Sequence, residues 1–222
     1  MSRILVVGVH PDDETLGCGA TLLKHRAAGD ELYWLLATRR EERFGFSTES
    51  VIRTQNEIDA ITRFYGFRDM RCLGLPPMGV ETIPMAERVN LISQAITDWN
   101  PEILYLPFAW DVHSDHRATF EAAFACTKAF RHPSVRRILM METPSESDFA
   151  PALPAQSFAP NWFEDCTDHL EAKLVAMSLY PGEMGPHPFP RSAEGLRALA
   201  TVRGAACGCR FAEAFMLLKE RR

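Results

Sequence analysis

No stretch of this sequence comes near the ~18 consecutive apolar residues that a membrane-crossing helix needs, and no block of like charge marks a tail for a polyion. Positive charge is in short supply. There are 24 Lys and Arg against 29 Asp and Glu, a formal net charge of −5. That deficit argues against a nucleic-acid binder, whose hold on phosphate rests on a positive surface. Paired cysteines are missing too. The six cysteines, at 18, 72, 126, 166, 207 and 209, include no C-x-x-C pair, so they read as reduced, mostly buried thiols and not as a thiolate zinc site. There is no internal repeat and no low-complexity tract. The opening apolar run, Ile4 to Val9, is too short for a signal-peptide core, which leads us to expect a soluble, cytoplasmic protein with no integral membrane segment.

What is present is alternation. At 222 residues and 46% hydrophobic, the chain is long enough for one well-buried domain, and a single domain over 1–222 is expected. Ile4 to Val9 reads as a strand buried on both faces. Helical spacing follows over Thr15 to Ala28, ending at Gly29, and then a strand over Glu31 to Ala37. The pattern continues with a helix Thr48 to Phe64, a strand Arg71 to Leu75, a helix Ala86 to Trp99 and a strand Ile103 to Pro107. A helix Asp115 to Phe130 and a strand Arg137 to Glu142 complete it. Repeated βαβ units predict an α/β fold, Rossmann-like, with a mostly parallel sheet and helices on both faces. Four prolines place Thr143 to Pro160 in a surface loop. Helices are expected at Asp168 to Leu179 and Ser192 to Ala206, separated by the Pro-rich stretch 181–190. Arg210 to Leu218 reads as a final strand or helix.

Two polar clusters stand where chemistry is expected. In an open parallel sheet, ligands bind at the C-terminal ends of the strands. The first predicted strand delivers His10-Pro11-Asp12-Asp13-Glu14 to that edge, and the fourth delivers Asp111-Val112-His113-Ser114-Asp115-His116-Arg117. Helix capping accounts for an isolated acidic turn, but not for two such clusters facing one edge. A catalytic zinc takes three protein ligands from imidazole and carboxylate and leaves a position for water, whose pKa it lowers to about 7. His10, Asp13 and His116 supply three ligands, Asp12 a general base and His113 an acid, while Asp115 can orient one imidazole.

These residues carry a family likeness. The sequence resembles the LmbE-like (PIG-L) deacetylases, zinc enzymes of Rossmann-like fold that remove acetyl groups from N-acetylated amino sugars. Their His-Pro-Asp-Asp-Glu signature stands intact at 10–14, and their His-Pro-Asp-His signature stands as His113-Ser114-Asp115-His116. The resemblance implies His10, Asp13 and His116 as metal ligands, Asp12 as base, and His113 as the group facing the oxyanion or the leaving amine. Weaker likeness extends to Arg53 and Glu57, to Glu142-Thr143-Pro144-Ser145 and to Phe211–Phe215. Serine for proline at 114 removes no ligand. Where the mycothiol-pathway branch has a tyrosine this chain has Asp111, so no tyrosine role carries over.

The activity this implies is hydrolysis of an amide on an N-acetylated amino sugar or glycoconjugate. Zinc is the expected ion, one per chain, although a His/His/Asp set also suits Fe2+ or Co2+. Whether Asp12 or His113 protonates the leaving amine stays open. Arg53, Asp111 and His187 are candidate substrate contacts, and Arg39 and Arg43 are weaker ones. Two rivals remain. One is an amidase for a non-sugar or thiol-conjugate amide with the same metal site. The other is a Rossmann-type nucleotide module, prompted by Gly8 and Gly17-Cys18-Gly19, although the Gly-x-Gly-x-x-Gly spacing is not met. A small-molecule partner is expected, no nucleic acid, and a homo-oligomer is compatible with the sequence.

Overall fold

In a computed structural model, residues 1–221 are described; Arg222, the last position of the expected domain, lies outside the described residues. Strand β1 (Arg3–Gly8) shows why a continuous apolar run forms a central strand. Ile4 and Val6 point into one core and Leu5 and Val7 into the other, and all four are 0–1% exposed. The next strands are β2 (Glu31–Thr38), β3 (Asp69–Leu75), β4 (Ile103–Leu106) and β5 (Arg137–Met141). β6 (Trp162–Asp165) and β7 (Ala212–Glu220) complete a seven-stranded sheet of order β3-β2-β1-β4-β5-β7-β6 among the described residues. The first five strands pair in parallel; β7 runs antiparallel to β5, and β6 antiparallel to β7.

Helices cover both faces. α1 (Asp13–Ala27), α2 (Thr48–Tyr65), α5 (Leu170–Met177) and α6 (Ala193–Cys207) pack on one side through Leu22, Ile61, Met177 and Leu196. α3 (Met85–Trp99) and α4 (Ser114–Ala125) close the other through Ile92, Ile96 and Ala122. Each large aliphatic side chain so buried contributes ~1.5–3 kcal/mol.

α1 carries a break at Cys18, whose φ of −150° and ψ of 21° are not helical. The backbone N–H groups freed just beyond it, of Ala20 and Thr21, donate to the Glu213 carboxylate at 3.1 and 2.7 Å. Lys173 Nζ donates to that carboxylate at 2.6 Å and to the Leu16 carbonyl at 2.7 Å. A buried ion pair thus caps the second half of the helix. Close approach explains two glycines here. A Cβ on Gly17 would lie 2.8 Å from the Met141 side chain, and one on Gly19 would lie 2.6 Å from the Tyr65 hydroxyl.

Several expectations need correction. β6 is an addition to the expected elements, and of the two readings open for 210–218 the strand holds, as Ala212–Glu220. α4 ends at Ala125 instead of Phe130, because the chain turns at Cys126 and leaves Phe130 80% exposed. α5 covers only Leu170–Met177. The segment expected as a surface loop, Thr143 to Pro160, begins buried: Thr143 is 0% and Ser147 5% exposed.

Candidate active site

β1 and β4 are neighbours whose connections diverge, β1 into α1 on one face and β4 into α4 on the other. That divergence opens a crevice at their C-terminal ends. On the β1 side the chain turns sharply. Asp13 Oδ2 accepts the backbone N–H groups of Val9 and His10, each at 2.8 Å, and Asp12 sits at φ 133°, a strained conformation for a residue with a Cβ. Behind the turn, fully buried Glu14 accepts the Asp12 N–H at 3.2 Å, the Thr15 hydroxyl at 2.5 Å and the Tyr180 hydroxyl at 2.9 Å. On the β4 side, His113 caps α4, its Nδ1 accepting the Asp115 N–H at 3.1 Å.

The two clusters meet. His116 Nε2 lies 3.3 Å from Asp13 Oδ2, and His10 Nδ1 lies 4.0 Å from the same oxygen. His116 Nδ1 donates to Asp111 Oδ2 at 2.9 Å, which leaves Nε2 as the lone-pair nitrogen of the neutral ring. That nitrogen is buried and has no hydrogen-bond partner. His10 Nε2 donates to Asp115 Oδ2 at 3.1 Å and so keeps Nδ1 free. His10, Asp13 and His116 offer donor atoms all within 4.8 Å of one another, as do His10, His113 and Asp115. The first set fits a cation better. In the second, Asp115 already accepts the N–H groups of His10, Met78 (2.6 Å) and Val80 (3.0 Å), and His113 Nδ1 is occupied as the cap. An orphaned imidazole nitrogen beside a carboxylate and a second imidazole is a donor set that suits a divalent cation.

The electrostatics follow the packing. Burial lifts Asp12 well above the usual carboxylate range, reinforced by Asp13 and opposed by Arg191. Burial alone would raise Asp13 as well, yet His116 and His10 bring its net shift below the ordinary value. Burial would lower His116, but Asp13 and Asp111 carry it to about 9, so without an ion Nε2 holds a proton that a bound cation would displace. Burial and the neighbouring His10 lower His113. Asp115 falls to about 2 despite burial, through His10 and the N–H groups of Val80 and Met78.

These groups open into a cavity of ≈ 310 Å3. His10, Asp12, Asp13 and His113 line it, together with Thr38, Arg40, Phe46, Thr54, Glu57, Met78, Glu146, Glu183 and Arg191. Several were not singled out from sequence. Arg191 donates to Asp12 Oδ2 at 3.0 Å and to Glu183 Oε2 at 3.0 Å, while Arg40 reaches Glu183 Oε1 at 3.3 Å. No spacing signal marks a single arginine at the end of a proline-rich stretch. None of the expected substrate contacts Arg53, Asp111 and His187 lines this cavity. Asp111 is 0% exposed and is spent on His116, on the Ser147 hydroxyl at 2.6 Å and on the Phe108 N–H at 3.2 Å. Arg53 is exposed beside Glu57, 3.9 Å away, and His187 is exposed outside the cavity lining. Arg39 bonds Gln55 and Arg43 pairs with Glu41, so the cavity takes the intervening Arg40 instead. The buried carboxylates at the start of α1 would confront a pyrophosphate with like charge, which disfavours a nucleotide site.

A sequence model of the PIG-L family, described as GlcNAc-PI de-N-acetylase, matches residues 5–127, more than half of the chain. The chain belongs to the PIG-L family. Among its relatives is the diacetylchitobiose deacetylase of Thermococcus kodakarensis, 24% identical over 232 residues that cover 96% of this chain and 82% of the relative. Among solved structures, the conserved protein TT1542 of Thermus thermophilus superposes with a TM-score of 0.77 at 25% identity, over 100% of this chain and 97% of that one. GalB, the 4-carboxy-2-hydroxymuconate hydratase of Pseudomonas putida, superposes with a TM-score of 0.75 at 14% identity, over 100% and 98% of the two chains. At that identity the fold alone is shared, and a fold by itself does not fix a reaction. Among the described residues no helix is long and apolar enough to cross a membrane.

Proposed function

We propose that this PIG-L chain, read as one domain, is a metal-dependent hydrolase that removes an acetyl group from the amide nitrogen of an N-acetylated amino sugar or glycoconjugate. The observation that carries the reading is the unpartnered, buried Nε2 of His116, aimed at Asp13 and completed by His10. These three side chains would hold one divalent ion, with zinc the first choice for two imidazoles and a carboxylate. The deacetylase family and its relative support an N-acetyl sugar as substrate.

A divalent ion bound there supplies Lewis acidity toward the acyl carbonyl and acidifies water beside it. Asp12, buried at the cavity wall, takes the proton of the attacking water as its oxygen bonds to the carbonyl carbon. His113 meets the developing oxyanion as a neutral donor. Its Nδ1 is occupied by the cap, so its proton sits on Nε2, and its lowered pKa keeps the ring uncharged. The proton held by Asp12 then passes to the nitrogen as the C–N bond breaks, releasing the amine and acetate. Arg191, bonded to Asp12 Oδ2, fixes the carboxylate between these two transfers.

Elemental analysis of purified protein with an acetate-release screen over N-acetyl sugars tests the proposal. Asp12→Ala is expected to keep the metal and lose ~10²–10⁴ in turnover, as loss of a general base does. His116→Ala is expected to lose the metal. Near-normal turnover in Asp12→Ala would overturn the assignment of the base.

A further inference from the structure

Beside the catalytic cavity lies a second, more open space of ≈ 710 Å3 that the reaction above does not use. One wall is the outer stripe of α2, where Glu49, Ile52, Arg53, Asn56 and Ala60 follow helical spacing. The other wall is Leu179 and Pro181, from the segment that also brings Glu183 and Arg191 to the catalytic cavity. The two spaces meet at Glu57, which lines both, and Thr54, one turn away on α2, is buried with an unpartnered hydroxyl on the catalytic side. The same helix and the same loop therefore bound both spaces, which lie side by side along α2 and share Glu57.

Chemistry limits what can lie in the second space. Ile52 is a large aliphatic side chain left 56% exposed on it, with Ala60, Leu179 and Pro181 adding apolar surface. Each guanidinium lining either space already faces a carboxylate: Arg191 faces Asp12 and Glu183, Arg40 faces Glu183, and Arg53 faces Glu57. A phosphate or carboxylate on the substrate would meet cations that already face carboxylates, and one further acid, Glu49. The catalytic cavity, at the low end of the ~300–1,000 Å3 usual for small-molecule sites, leaves little room beyond one sugar and its acetamide. With the acyl carbon held at the metal ligands, the part of the substrate that reaches past Glu57 is the part farthest from the scissile bond.

We infer that the groove between α2 and residues 179–181 is an aglycone subsite, and that the substrate is an N-acetylated amino sugar bearing an uncharged, apolar aglycone. This rests on the deacetylase reading above. The groove selects by burial of aliphatic surface against Ile52, Ala60 and Leu179, while the sugar stays among Thr54, Glu57 and Glu183.

Methyl, butyl and hexyl β-glycosides of N-acetylglucosamine test it with zinc-loaded protein below any micelle concentration. A fully buried methylene is worth about fourfold, so kcat/KM is expected to rise at least about tenfold from methyl to hexyl across this open groove. In Ile52→Glu, an exposed position whose change spares the core, the hexyl-to-methyl ratio is expected to fall toward one. Methyl N-hexanoylglucosaminide is expected to show no such gain; a gain there would place the chain on the acyl side and overturn the inference. Equal kcat/KM along the glycoside series, or a ratio unmoved by Ile52→Glu, would overturn it too. Calorimetry with hexyl and methyl 2-amino-2-deoxyglucosides reads the groove without turnover. The hexyl amine is expected to bind at least about tenfold tighter, and equal affinities would refute the subsite. Absence of acetate release from every glycoside would sink the deacetylase reading, with the calorimetry still deciding the groove.

Discussion

Asp111 shows how a single side chain decides what its neighbour can do. It lies five residues before His116, fully buried, and by accepting the Nδ1–H it leaves Nε2 as the nitrogen that can bind a cation. From sequence this residue reads as a substrate contact, because a carboxylate at a strand end carries no mark of which way it points. His10, Asp13 and His116, singled out by their spacing after two strands, do converge. Arg191 was invisible at that level, since its partner Asp12 is 179 positions away. Arg191→Met is expected to keep the metal content and KM while lowering kcat by at least about tenfold, because Asp12 loses the donor that fixes it. Arg191→Lys should restore part of the rate. Steady-state kinetics with metal analysis checks both, and a change confined to KM would assign Arg191 to substrate binding instead.

Among the elements, the parallel strands β1 to β5 are legible in the sequence, and the antiparallel pair β7 and β6 is legible only in part. β1, β4 and β5 announce themselves as aliphatic runs. β6 is four residues, Trp-Phe-Glu-Asp, none fully buried, and it exists because β7 offers it a hydrogen-bonding edge. β7, with Ala, Glu, Leu and Lys among its residues, suits a helix by propensity and is made a strand by β5 and β6 on its two sides. α1 shows the reverse, a segment helical by pattern whose break at Cys18 only tertiary partners can sustain. Lys173→Met should therefore be costly. It leaves the Glu213 carboxylate buried without its cation at the kink, and a loss of ~3–5 kcal/mol is expected from chemical denaturation. An unchanged denaturation midpoint would show that the pair is dispensable.

For the molecule as a whole, the site shapes stability as a function of pH. Burial lifts Glu14 from 4.5 to about 7. Its folded-state pKa lies above the unfolded one, so its contribution is fully present below pH 4.5 and fades as pH rises through 7. Across that window the metal-free protein should lose roughly 3 kcal/mol through this group. Glu14→Gln should flatten the trend, as read from urea midpoints in the presence of a chelator; parallel profiles for the two proteins would exclude the effect. The turn that Glu14 supports has a further consequence. Asp12 is held at φ 133°, where glycine rests without strain. Asp12→Gly is accordingly expected to melt several degrees higher than the parent while losing ~10²–10⁴ in turnover, and a lower melting temperature would refute this. Backbone strain at position 12 would then be what this fold tolerates in order to hold a carboxylate at the cavity wall.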